Sequence, residues 1–215
     1  KEILKLVCID ARGVVASPCG ACREYLMQLS KNSKDIEILI KDIIRECNAS
    51  LIIGDENLKI ENFSKDTREI NENDCYIGIK GETFDGNLFY EEAFKKGSSA
   101  CILEKESVKD IDFRNYNDKT IILVDNSIKA LQEFEAYKRS LYDIPVIAVT
   151  GSVGKTSTKE IISSVLSTKY NVLKTEGNYN NHIGLPLTIL KLKEHNAMVL
   201  EMGMNHLNEI TLLSK

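Results

Sequence analysis

The chain has 215 residues, 43% of them hydrophobic, which is enough apolar material for one large core or two modest ones and argues against wholesale disorder. Its 28 lysines and arginines face 32 acidic residues, a formal net charge of -4, so a globally basic surface of the kind that tracks nucleic acid is excluded. No apolar run approaches the roughly 20 residues that span a bilayer, and residues 1–10 alternate instead of forming a leader core, so a soluble cytoplasmic protein without a membrane span is expected.

In chain order, the first segment reads as strand, turn, helix and strand: residues 4–9 are apolar, Arg12-Gly13 signals a turn, residues 23–29 suit a helix, and residues 36–40 are apolar again. The segment is too small to be a domain. Ile43, Ile44 and Cys47 then mark a helix, followed by short strands at 51–53 and Ile60 and a longer one at 75–79. A glycine-rich loop at 81–86 precedes a helix at 89–96 that Gly97 stops, and 100–103 and 121–124 read as buried strands. These elements predict a small α/β domain over 39–125. Cys8, Cys47, Cys75 and Cys101 stand singly in apolar stretches, as small hydrophobes do in a reducing compartment.

Ile128, Leu131, Phe134, Tyr137 and Leu141 recur at helical spacing, and Pro145 opens a strand at 146–149. Beyond it come a glycine-bearing loop (150–155), a helix (156–167), a short strand, a loop, a helix and a strand at 198–201. Strands alternating with helices predict a parallel sheet covered on both faces, over 126–215. The fold class expected is therefore α/β, a small N-terminal α/β domain followed by part of a P-loop-type parallel-sheet ATPase domain.

The strongest motif is Thr150-Gly151-Ser152-Val153-Gly154-Lys155-Thr156-Ser157, set between an apolar strand and an amphipathic helix. A phosphate needs inward-pointing backbone N–H groups and the positive end of a helix dipole, hence no bulky side chain at Gly151 or Gly154. Lys155 adds a point charge for the β- and γ-phosphates, and the Thr156 hydroxyl suits Mg²⁺. Val149 stands where the usual pattern has its first glycine, so the loop is a shortened variant. ATP and Mg²⁺ are the cofactors expected, with Gly151 to Ser157 as the nucleotide-binding residues.

This loop resembles that of the Mur ligase family, whose P-loops open with Thr-Gly and lack the earlier glycine. KTEGNYNNHIGLPLTIL (174–190) and LEMGMNHLNEI (200–210) resemble the D-alanyl-D-alanine-adding members, and FSKDTREINENDCYIGIKGETFDG (63–86) resembles their amino-terminal UDP-sugar-binding domain. The resemblance runs over about 41–215 in unbroken order. It implies an ATP-dependent carbon–nitrogen ligase of peptidoglycan precursor synthesis, acting through an acyl phosphate. Its small-molecule partners would be UDP-N-acetylmuramoyl-tripeptide, D-alanyl-D-alanine and ATP. The family's later features are not found before Lys215, so an incomplete chain without ligase turnover is expected.

The resemblance assigns Lys155 and Glu201 as catalytic residues and Thr156 and Glu201 as Mg²⁺ ligands. Glu201 ends a buried apolar strand, where a carboxylate is costly unless it binds something, the ordinary alternative being a strand end in water. Thr175, Asn178, Asn180 and Asn181 are assigned to substrate, although asparagine-rich loops are also common turn chemistry. Thr67 and Arg68 fall in a signature associated with the uridine nucleotide. Arg68 is expected either to hold a diphosphate oxygen or to pair with Asp66. Asp85 and Gly86 belong to a loop that usually continues with His, where this chain has Asn87. His182 and His206 are not at metal-ligand spacing.

Ser17-Pro18-Cys19-Gly20-Ala21-Cys22-Arg23-Glu24 resembles the second zinc half-site of the cytidine deaminase family. Residues 1–16 supply neither the third ligand nor the proton-shuttling Glu, so Cys19 and Cys22 would form an incomplete Zn²⁺ site in a partial deaminase-like segment, 1–38. The alternatives carried are therefore a zinc-dependent deaminase-like protein, a Mur-type ligase of another amino acid, and a non-catalytic nucleotide-binding module.

Overall fold

The structure, a computed structural model, describes residues 37–204, the backbone of residues 5–8, and positions 210 and 213. These residues divide into two compact units: 37–137, and 138 onward together with the strand at 5–8. Among the described residues the helices and strands lie close to the predicted positions, apart from an unexpected strand at Phe63–Ser64; the helix expected at 23–29 lies outside the described residues, and the fold class is α/β.

The first unit opens with β1's successor in the chain. After β1 (Lys5–Cys8), β2 (Ile38–Leu39) pairs antiparallel with β4 (Lys59–Ile60). Between them lie helix α1 (Ile40–Glu46) and β3 (Ser50–Ile53). Helix α1 begins where the Leu39 N–H donates to the Asp42 carboxylate at 3.1 Å, an acidic side chain closing the first turn. Then follow β5 (Phe63–Ser64), β6 (Cys75–Ile77), α2 (Tyr90–Lys95), β7 (Ala100–Glu104) and β8 (Thr120–Val124). The sheet runs β3-β8-β7-β6-β5, parallel from β5 to β8 with β3 antiparallel at its edge. Central strand β7 is buried along nearly its whole length, as an uninterrupted apolar run requires. Tyr76, Tyr90, Phe94, Leu103, Phe113 and Ile121 fill the core on one side. Helix α2 ends at Gly97, whose φ of 114° is a conformation that only glycine adopts without strain. Cys47, Cys75 and Cys101 are buried free thiols, and burial pushes the Cys47 thiol up to about 12, consistent with small apolar roles.

Helix α3 (Ser127–Ser140) carries the chain out of this unit. In the second unit β9 (Val146–Thr150), α4 (Lys155–Leu166), β10 (Val172–Lys174), α5 (Gly184–Ile189) and β11 (Ala197–Glu201) alternate. The sheet order is β1-β9-β11-β10, all parallel. Every residue of β11 is buried, as the central position between β9 and β10 demands. Glu201 is in register with Val149, so the end of β11 lies beside the start of the loop that follows β9. In parallel sheets ligands bind at such carboxyl ends. No helix among the described residues is long and apolar enough to cross a membrane.

Candidate nucleotide and magnesium site

The loop after β9 runs from Gly151 to Gly154, and α4 starts at Lys155. Gly151 (φ 147°) and Gly154 (φ 78°) both take backbone angles that favour glycine, which explains why these two positions lack side chains. Ser152 and Val153 are exposed between them, Val153 by 70%. The Lys155 ammonium bends back and donates to the Gly151 carbonyl at 2.8 Å, which places a positive charge over the loop and the first turn of a 12-residue helix. A phosphate is the anion such a loop accommodates.

Glu201 is 3% exposed, so the strand-end-in-water alternative does not hold. The Thr156 hydroxyl donates to its Oε2 at 2.9 Å, the Asn180 amide donates to its Oε1 at 2.9 Å, and its own N–H donates to the Thr175 hydroxyl at 2.9 Å. The two residues expected at Mg²⁺ are thus adjacent. A hydroxyl and a carboxylate are hard oxygen donors, and Mg²⁺ is commonly held by one carboxylate with phosphates and water instead of an all-protein cage. The residues present therefore fit a Mg²⁺–nucleotide pair.

The asparagine-rich loop separates into different roles. Thr175 is fully buried with hydroxyl and carbonyl both engaged, which places it behind the site as support instead of in its surface. Asn180 is bound to Glu201, and its carbonyl accepts from the Gly203 N–H at 2.8 Å. Asn181 caps α5, its side-chain oxygen accepting from the N–H groups of Ile183 and Gly184 at 3.1 and 2.8 Å. Asn178 is exposed.

Lys159 is the residue that sequence reasoning missed. It is 1% exposed, and its ammonium lies 3.9 Å from Glu201 Oε2. The signal was available, because a lysine four residues after Lys155 shares its helix face.

In the first unit, Asp66 caps a short 3₁₀ turn (Thr67–Glu69) and accepts from the Arg68 N–H at 2.9 Å. The Arg68 guanidinium also binds Asp66, with Nη2 to Oδ2 at 2.5 Å, so of the two expectations for Arg68 the structure shows the ion pair. Hydrogen bonds from Arg68 hold the Asp66 carboxyl down at about 2. The Thr67 hydroxyl donates to Glu92 at 3.1 Å.

Asp85 caps the turn Gly86–Phe89 and accepts from the Asn87 N–H, the Asn87 amide and the Ser107 hydroxyl at 2.9, 2.7 and 2.6 Å. Burial opposes ionisation of Asp85, but these hydrogen bonds outweigh it and lower its pKa. Asn87 is wholly buried, and its oxygen accepts from the Glu104 N–H at 2.8 Å. A Cβ at Gly86 would meet the Ile79 carbonyl at 2.5 Å, so the loop approaches β6's extension too closely for any side chain.

Cys19, Cys22 and His206 lie outside the described residues.

Residues 149–215 match the Mur ligase middle domain. The UDP-N-acetylmuramoyl-tripeptide–D-alanyl-D-alanine ligase of Bacillus subtilis is 44% identical over 162 residues, 74% of this chain and 34% of that protein. The Escherichia coli ligase of the same name is 35% identical over 155 residues, 72% of this chain and 32% of that protein. Among solved structures, MurF from Acinetobacter baumannii superposes with a TM-score of 0.72 at 30% identity, covering 83% of this chain and 38% of that one. MurF ligase from Thermotoga maritima, solved in complex with ADP, gives 0.59 at 36% identity, covering 71% and 34%. The chain thus spans about a third of the length of the curated relatives it matches. These findings give no support to the cytidine deaminase alternative or to zinc at Cys19 and Cys22. Taken with the P-loop and its neighbouring carboxylate, the matches place this chain in the Mur ligase family.

Proposed function

We propose that this chain supplies the UDP-sugar-binding and nucleotide-binding parts of an ATP-dependent ligase that joins D-alanyl-D-alanine to UDP-N-acetylmuramoyl-tripeptide. The reading rests on one observation above all, the Thr156 hydroxyl and the buried Glu201 carboxylate meeting at the carboxyl ends of adjacent parallel strands, beside a loop built for phosphate. The names of the B. subtilis and E. coli relatives support the substrate assignment. Domain 39–125 would take the UDP-sugar and 126–215 the nucleotide, in the cytoplasm where these precursors are made.

In this reaction the terminal carboxylate of the tripeptide is phosphorylated by ATP, and the dipeptide amine displaces phosphate from the acyl phosphate. Magnesium, when bound, neutralises charge on the β- and γ-phosphate oxygens. The protein's part is positioning. Backbone N–H groups of Gly151, Ser152, Val153, Gly154 and Ser157's turn cradle the phosphates. Lys155 would exchange its bond to Gly151 for phosphate oxygens, and Thr156 and Glu201 would hold the metal. Asn178 would face the stem peptide, with Asn180, Asn181 and Thr175 fixing the loop. Thr67, Arg68, Asp85 and Gly86 form the UDP end, where Arg68 binds a diphosphate oxygen by leaving Asp66.

Two measurements test this. Calorimetry on the chain is expected to detect Mg²⁺-dependent ADP binding that Lys155→Ala abolishes. A chimera carrying residues 41–215 in place of the matching third of the B. subtilis ligase is expected to release phosphate only with the tripeptide nucleotide and D-alanyl-D-alanine together. Release stimulated by a single amino acid would instead assign a different Mur-type ligase.

A further inference from the structure

A buried lysine needs partners, and those of Lys159 connect three separate parts of the site. Its ammonium donates to the Thr175 carbonyl at 2.6 Å, lies 3.1 Å from Glu160, and lies 3.9 Å from Glu201 Oε2. Thr175 is also the residue whose hydroxyl accepts the Glu201 N–H, and Asn180 in the same loop donates to the other oxygen of that carboxylate. Lys159 stands one turn after Lys155 and Thr156 on α4. One side chain therefore ties the phosphate-loop helix to the loop after β10, and both to Glu201.

We propose that Lys159 is a positioning residue for the divalent cation: it pins Thr175, and through it Glu201, so that Oε2 stays beside the Thr156 hydroxyl before nucleotide arrives. The proposal rests on the nucleotide-binding reading given above. Lys159 acts on Glu201 chiefly through Thr175, because its ammonium donates to the Thr175 carbonyl at 2.6 Å and lies 3.1 Å from Glu160 but 3.9 Å from Glu201. With a side chain only 2% exposed, the ammonium is held inside the fold.

The test is the ADP dissociation constant of the full chain, measured with Mg²⁺ and again with EDTA, for wild type, Lys159→Met and Lys159→Arg. Outer groups that orient metal ligands typically contribute 10- to 100-fold in metal affinity, so Lys159→Met should lose roughly tenfold or more of the Mg²⁺-dependent tightening while its affinity in EDTA stays within about twofold. Lys159→Arg, which keeps a cationic donor, should recover most of the tightening. Amide exchange over residues 175–181 should quicken in Lys159→Met and not in Lys159→Arg. A general folding defect weakens both constants together, which separates it from positioning. If Lys159→Met yields no soluble protein, Lys159→Gln carries the same comparison. An unchanged or larger Mg²⁺ effect in the uncharged variant overturns the proposal while the nucleotide site stands. Absence of ADP binding by wild type with or without Mg²⁺ overturns the nucleotide site, and the role of Lys159 falls with it.

Discussion

Thr156 and Glu201 are 45 residues apart in the chain, yet the hydroxyl of one donates to the carboxylate of the other across 2.9 Å. The parallel pairing of β9 with β11 makes that contact, because it aligns the loop after one strand with the last residue of the next. Thr156→Ala removes a donor from a carboxylate that is 3% exposed, and is expected to cost about 1–3 kcal/mol of stability in urea unfolding. Both Thr156→Ala and Glu201→Gln should weaken Mg²⁺-dependent ADP binding by roughly 10-fold or more, measured by calorimetry against wild type. Equal binding by all three proteins would remove these residues from the metal site.

Asn87 follows the Asp85-Gly86 turn and lies wholly inside the protein. Its amide serves Asp85 and its oxygen serves the Glu104 N–H. Asn87→Ala leaves that part-buried N–H without a partner and should destabilise the 37–137 unit by about 1–3 kcal/mol, with faster amide exchange at Glu104 and across 85–89. Asn87→Asp retains the acceptor for Glu104 but sets a second carboxylate against Asp85, so its loss of stability should grow as pH rises through the carboxylate range.

The Asp66–Arg68 pair makes a signed pH prediction. The folded carboxyl titrates at about 2 because Arg68 donates to it, below the ordinary value of 3.8. Its contribution to stability is therefore present above about pH 4 and lost as pH falls through 2. Carboxyl NMR titration should find that midpoint in wild type and a value near the ordinary one in Arg68→Ala. Addition of UDP to wild type should shift the Asp66 resonance if Arg68 exchanges its carboxylate for diphosphate. An unperturbed resonance at saturating UDP would count against that role.

Lys138 points the other way. It is 3% exposed and donates to the Leu190 carbonyl, and burial, with Lys193 adding repulsion, lowers its pKa from 10.5 to about 8. The folded state then binds fewer protons than the unfolded chain between those values, so the penalty is full below pH 8 and fades as pH rises towards 10.5. The size of the effect is about 3 kcal/mol. Urea midpoints across pH 7.5–10 should rise for wild type relative to Lys138→Met, whose profile lacks this component. Parallel profiles would show that Lys138 keeps its charge within the fold.

Much of this molecule was legible in its sequence because the relevant constraints are local. Gly97 stops α2 and Gly151 and Gly154 shape the phosphate loop through backbone angles that a single residue type determines. Strands such as 100–104 and 197–201 announce their burial by unbroken apolar runs. The strand–loop–helix order around Lys155 likewise follows from neighbouring residues, and the motifs after it carried the family resemblance. Side chains with two equally reasonable fates were not legible: Asn181 is a helix cap, Thr175 is an internal support, and Arg68 is paired with Asp66.

What the sequence alone determined, then, is the phosphate loop, the alternating α/β order and the kinship with Mur ligases, all of which depend on residues close together along the chain. Tertiary structure decided which distant groups meet: Glu201 with Thr156 and Asn180, Lys159 with Thr175, Asn87 with Glu104. The physical reason is that buried polar groups must find partners wherever sheet order and register bring them, and that choice is not encoded in the spacing of any one segment.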